Sequence, residues 1–352
     1  MKIYPYIYEP DKSIEVYKKT DEYFIANPEL KNRIEELGWI YHTVGKIIPH
    51  NLENFWSGHY FPYVESWEEL QISFNLICFG LYKQAFVSLR SGLELGLLSV
   101  YYNINDDGHN TVKEWLHSKD TSAANTPRAE KIWKILLSNE NIAKFNIQHN
   151  LRNTFDNLGY LHNYVHTKGA KHSNRMGLLK TNSQTFESKL IDKWIKSYED
   201  IISLVSSLHL LKYPIAVIRF DYRKKFGIVF PSFGGLEEYD IDKIAKILPE
   251  NYLADIEIIA KEDPTTQQII QEINSFHDIT KEQVEEQILN LDKMSIEHGE
   301  GFNEWMENQE SIFKSFGQEL DDKMKKRIEI LRDWAIENDF LESKAKRLGL
   351  KL

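Results

Sequence analysis

Cysteine is almost missing: Cys78 is the only one in 352 residues. A single thiol excludes an internal disulfide framework and a multi-cysteine zinc site. Cys78 also lies in a strongly apolar run, where cysteine acts as a small hydrophobe rather than a reactive group. Long hydrophobic runs are missing too. The most apolar region, Leu70 to Ile104, is interrupted by Lys83, Arg90 and Glu94, and its longest charge-free run, Leu70 to Tyr82, is too short to cross a bilayer as a helix. No membrane association is expected. The N-terminus has no basic stretch followed by an apolar one, so no secretory signal is expected. There is no phosphate-binding glycine loop, no serine nucleophile elbow and no dinucleotide fingerprint, and hence no expected cofactor. Positive charge is in deficit. A formal net charge of −10 argues against a protein that coats nucleic acid non-specifically, although a local basic patch could still engage RNA or DNA. A soluble cytoplasmic protein of bacterial type fits these absences.

The residues present are those of a folded chain. Its 8 Trp, 18 Tyr and 18 Phe exclude disorder over most of the length. Helical periodicity dominates, and the expected class is all-α, a helical bundle followed by a second helical region. Leu30 to Ile48 reads as one helix and Trp67 to Tyr102 as another, long or slightly broken, with Gly92 and Gly96 spaced to let a neighbour approach closely. Thr126, Pro127 and Glu130 have the spacing of a helix start. Asn150 to Thr167 reads as one helix, and Phe186 to Tyr222 as one that Pro214 divides. Pro231 and Gly234-Gly235 mark a boundary, giving residues 1–230 as a bundle that carries the site and 231–352 as a region for assembly or partner binding. The second part reads as helices near 241–248, 269–276, 280–297 and 302–338, with Leu253 to Lys261 ambiguous.

The chemistry concentrates in Tyr160 to Gly169, which holds His162 and His166 one turn apart and leads into a basic loop with Lys168, Lys171, His172 and Arg175. On a regular helix His162 falls inside the stripe made by Leu151, Phe155, Leu158 and Val165, with His166 at its edge and Tyr160 and Tyr164 opposite. Inward imidazoles need partners, because an unpaired buried polar group costs on the order of 1–3 kcal/mol. Arg90 and Glu94, one turn apart in an apolar helix, share that need, so the two helices are expected to meet in a dry crevice. Three readings follow. The group is a core network that only fixes register; or His-x-x-x-His with His172 or Glu94 holds a metal, although Asn163 stands where a zincin has its Glu; or the histidines move protons while Arg90, Lys168, Lys171 or Arg175 hold phosphate.

Two stretches, Ala85–Glu94 (AFVSLRSGLE) and Leu161–Gly169 (LHNYVHTKG), together resemble bacterial helical proteins related to the HEPN superfamily, over about residues 67–222. Many of that superfamily are metal-independent ribonucleases of toxin–antitoxin and phage-defence systems. The resemblance implies an RNA-directed effector or toxin with His166 as the proton-transfer residue, His162 as a second base or orienter, Arg90 on phosphate and Glu94 fixing Arg90 or His166. It implies no metal, a homodimer with sites paired across a two-fold axis, and an antitoxin or other defence partner. This sequence departs from the catalytic pattern of Arg followed four to six residues later by His: Asp156 and Asn157 stand at that spacing before His162, and Arg152 is too distant. A non-catalytic scaffold or sensor subunit in the same setting is the alternative.

Overall fold

The computed structural model describes residues 8–48, 60–104, 110–118, 126–174, 184–228, 235–315, 317 and 321–347. Among them every regular element is helical and no strand occurs, as an all-α chain requires. In order the helices are α1 (Pro10–Ala26), α2 (Pro28–Gly45), α3 (Tyr60–Cys78), α4 (Tyr82–Ile104), α5 (Asn110–Leu116), α6 (Ala129–Leu136), α7 (Glu140–His149), α8 (Leu151–Asn157), α9 (His162–Val165) and α10 (Ser188–Lys212). They continue as α11 (Tyr222–Phe226), α12 (Glu238–Ile247), α13 (Tyr252–Glu262), α14 (Pro264–Ser275), α15 (Lys281–Ser295), α16 (Gly301–Ser315), α17 (Asp322–Glu337) and α18 (Lys344–Arg347). None is long and apolar enough to cross a membrane.

The chain forms two compact units, Met1–Arg219 with Ser232–Gln271, and Phe220–Pro231 with Glu272–Leu352. A single cut at 230/231 therefore does not describe it. Ile241, Ile244, Ile247, Leu253, Ile256 and Ile259 of α12 and α13 belong to the same core as α4 and α10, which draws residues 232–271 into the first unit. Conversely, the amide of Ile279 donates to the Lys224 carbonyl and Gln287 Nε2 to that of Phe226, tying α11 to the second unit.

The first unit is built on a hairpin. The region read as one long helix reverses at Phe79–Leu81, where Gly80 has φ +74° and a Cβ would meet Val16 at 2.9 Å. Serines of α3 and α4 then lock the antiparallel pair: Ser73 Oγ donates to Ala85 O, Ser66 Oγ to Gly92 O and Ser88 Oγ to Glu69 O. Gly96 serves a second neighbour, since its added Cβ would lie 2.7 Å from Val205 of α10. The glycine spacing thus admits α3 at Gly92 and α10 at Gly96. Helix α10 is enclosed by α2, α4, α7, α8 and α13, and nearly every residue from Ile201 to Leu211 is buried. Pro214, lacking an amide hydrogen, ends α10 and opens a 3-10 turn at Pro214–Val217.

Two other details differ from expectation. The start at Thr126-Pro127 is not used: α6 begins at Ala129 after an extended Arg128 with no side-chain cap. The segment 302–338 is two helices, α16 and α17, and Met324, Leu331 and Ala335 of α17 pack with Ile296, Phe302 and Trp305 as the second unit's own core. The ambiguous Leu253 to Lys261 is helical, within α13.

Candidate functional site

The histidine segment is not one helix. Asn150 is in the left-handed conformation and separates α7 from α8; residues Leu158–Leu161 form a 3-10 turn before the short α9. A 3-10 residue turns about 120° rather than 100°, so four of them advance everything beyond by roughly 80°. That rotation changes which side chains point inward. Leu158, Leu161 and Tyr164 are buried, while His162, Val165 and His166 are exposed. The expected dry crevice is therefore absent, and both imidazoles face solvent.

The two segments nevertheless pack together, because α4 runs antiparallel to this one. Lys83 Nζ donates to Thr167 Oγ1 at 2.7 Å, the Phe86 and Tyr164 rings stack at 5.1 Å, and the Arg90 guanidinium lies 5.5 Å from the Phe155 ring centroid. Arg90 Nη2 bonds Glu94 Oε1 at 2.6 Å. Glu94 thus fixes Arg90, while its own side chain is about half exposed rather than buried. Arg90 is 8% exposed, its Nε lacks a hydrogen-bond partner among the described residues, and Phe155 covers it. A guanidinium so placed holds its helix against α8; it presents little to a ligand.

His162 and His166 have ring centroids 4.2 Å apart at 52°. Partial burial, then the positive charges of His166, Arg90 and Lys168, push the His162 pKa below the usual imidazole range, with Glu94 opposing. Below its ordinary value the neutral ring prevails at pH 7, the form that accepts a proton. Among the described residues no group of three or more His, Cys, Asp and Glu is placed to hold a metal ion.

Behind the pair the chain closes a tight loop. The Lys168 amide reaches Asn163 O at 2.9 Å, a Schellman-type helix end in which Thr167, with φ +47°, takes the position usually held by glycine. His172 is buried, approaches the Lys168 carbonyl through Nδ1 at 2.6 Å and sets its ring against Tyr164 at 4.9 Å. It clamps the loop instead of facing a substrate. Lys168 and Lys171 are exposed, and Arg175 lies outside the described residues.

Two features escaped the reading of the sequence. Lys193 of α10 lies 4.1 Å from the Tyr160 ring centroid and 3.4 Å from Tyr164 Oη, and no carboxylate pairs with it among the described residues. Its signal was the acid-free stretch from Asn157 to Phe186, whose Lys171 acts on it. The other is His209, a fully interior histidine. It is 1% exposed, with Nε2 3.1 Å from Ser99 Oγ, Nδ1 3.0 Å from Val205 O, and Tyr63 edge-on at 4.7 Å. Burial lowers its pKa to about 4.

In the second unit, α15, α16 and α17 border a cleft of about 530 Å³ lined by Leu289, Phe313, Met324 and Ile330, with a Lys323–Glu285 ion pair at 2.7 Å among its lining residues. Comparison with family models, curated proteins and solved structures finds no match.

Proposed function

We propose that the chain is a HEPN-like, metal-independent endoribonuclease acting as an effector or toxin in bacterial phage defence. The observation that carries this reading is the pair of solvent-facing imidazoles, 4.2 Å apart, on a cation-bearing surface of an acidic protein. Two imidazoles suffice for transesterification of RNA. His162, favoured in its neutral form, takes the 2′-hydroxyl proton as that oxygen attacks phosphorus. His166 delivers a proton to the departing 5′-oxygen as the P–O5′ bond breaks. The products are a 2′,3′-cyclic phosphate and a 5′-hydroxyl end, and no redox partner or metal enters the balance. Arg90 is a positioning residue: bonded to Glu94 and packed on Phe155, it fixes the face of α4 beneath the pair.

The setting comes from the resemblance alone. It supplies the antitoxin or defence partner and a homodimer in which two such surfaces pair across a two-fold axis. The second reading, a non-catalytic scaffold or sensor subunit, is favoured by one observation: Arg90 is covered and already bonded, and no arginine precedes either histidine at the catalytic spacing.

Purified protein incubated with total RNA, with and without chelator, separates the readings. The nuclease cleaves in both conditions, and His166→Ala abolishes cleavage. Since His166 is exposed, that substitution changes stability by no more than about 0.5 kcal/mol. Absence of cleavage by the wild-type chain leaves the scaffold reading standing.

A further inference from the structure

The lysines around the histidine pair share a property that the proton chemistry does not require. Lys168 acts electrostatically on His162 at one end of the 168–172 loop, and Lys171 acts on Lys193 at the other. The loop between them is held compact by the His172 clamp. Lys83 reaches the same loop through Thr167. From Asn157 to Phe186 the chain has no Asp or Glu, although acids outnumber bases 53 to 43 overall. Lys193 is the clearest member. Its ammonium rests on the Tyr160 ring, approaches Phe86 and Tyr164, and is opposed by another lysine instead of a carboxylate. Lys168, Lys171 and Lys193 form no ion pair with a carboxylate among the described residues; like charges so gathered cost folding free energy, and that cost is relieved when an anion binds.

We propose that Lys168, Lys171 and Lys193 form a track for successive phosphates of single-stranded RNA, supplying affinity that is separable from cleavage and independent of Arg90. The inference rests on the ribonuclease reading for the identity of the strand. In-line attack by a 2′-oxygen needs a phosphodiester free to rotate, which a duplex restrains, and an exposed imidazole pair offers ring faces on which unpaired bases stack. The track lies on a helix end, a clamped loop and α10, so it is preorganised and needs no folding on binding.

Binding is read by fluorescence anisotropy of a labelled single-stranded RNA on the full chain carrying His166→Ala, across a salt series. Each phosphate contact on a single strand contributes about 0.7 to the slope of log K against log salt. K168Q/K171Q/K193Q is expected to lower that slope by about 2 and weaken binding at least roughly tenfold at low salt. K168Q/K171Q alone, at two exposed positions, gives a smaller loss of the same kind and carries the test if Lys193→Gln disturbs its aromatic neighbours. K18Q/K19Q, an exposed pair on α1, changes neither quantity. An unchanged slope in both track variants overturns the proposal, as does an equal loss in K18Q/K19Q. Equal affinity for duplex RNA or single-stranded DNA removes the assignment to single-stranded RNA. Lysine-dependent binding by a chain that never cleaves sinks the nuclease reading and leaves the track. Cleavage with a lysine-independent slope does the reverse.

Discussion

His209 makes the folded state sensitive to acid. In the unfolded chain an imidazole titrates near 6.5, whereas burial between α3, α4 and α10 holds this one to about 4. Between those values the unfolded chain binds a proton that the folded chain does not. Stability therefore rises with pH across the window, is fully present above about 6.5, and is lost as pH falls to about 4. The difference corresponds to about 3 kcal/mol, with no solvent discount because the ring is enclosed. Burial is the cause, partly opposed by the Val205 carbonyl at Nδ1, which favours the charged ring; among the described residues no carboxylate touches the ring to balance an imidazolium. Urea unfolding of wild type and His209→Gln between pH 7.5 and about 4.5 reads the effect. Other titrating groups are common to both chains and cancel in the comparison. The variant begins less stable at pH 7.5 but loses less on acidification, so the two stabilities converge by roughly 2–3 kcal/mol. Parallel loss in the two proteins would refute the assignment.

Gly96→Ala tests the closeness of α4 and α10. The better helix propensity of alanine offers about 1 kcal/mol, but a methyl 2.7 Å from Val205 overpacks the contact by roughly 1–3 kcal/mol, so net destabilisation is expected. Val205→Ala in the same chain should recover part of it in a double-mutant cycle; additive effects contradict the contact. Arg90→Gln removes a buried stem, its ring contact and its carboxylate bond, and is expected to lower stability by about 1–3 kcal/mol without changing the salt slope of RNA binding. A reduced slope with unchanged melting would restore Arg90 as a phosphate ligand. Burial pushes the Cys78 thiol up to about 12, so a thiol reagent at pH 8 should label it only at the rate of unfolding. Fast labelling of the native protein contradicts its position.

Much of the fold was legible because the residues concerned act locally. The i,i+4 spacing of Arg90 and Glu94 gives their ion pair, and Gly92 with Gly96 announces close neighbours before those neighbours are known. The expected meeting of α4 with the histidine segment occurs, but through Lys83–Thr167, Phe86–Tyr164 and Arg90–Phe155 rather than through a shared need for polar partners. Exposure did not follow. It depended on a four-residue 3-10 turn at Leu158–Leu161, whose composition resembles that of a regular helix but whose extra rotation buries Tyr164 and exposes both histidines. The reversal at Gly80 was hidden for a similar reason, since one glycine in an apolar stretch reads equally as a packing site. His209 was missed because the Ile201–Leu211 part of its helix is buried on every side, serines included, leaving no exposed face against which a buried polar residue stands out. Lys193 was missed because its partners are rings from other segments.

The central claim, that two surface imidazoles cut RNA unaided by metal, is tested most directly by the chemistry of the cut ends. Wild-type protein is incubated with a defined single-stranded RNA in excess chelator, and the termini are identified. The account predicts 2′,3′-cyclic phosphate and 5′-hydroxyl ends that disappear with His162→Ala or His166→Ala. Intact RNA, or 5′-phosphate ends that form only when divalent metal is restored, would contradict it.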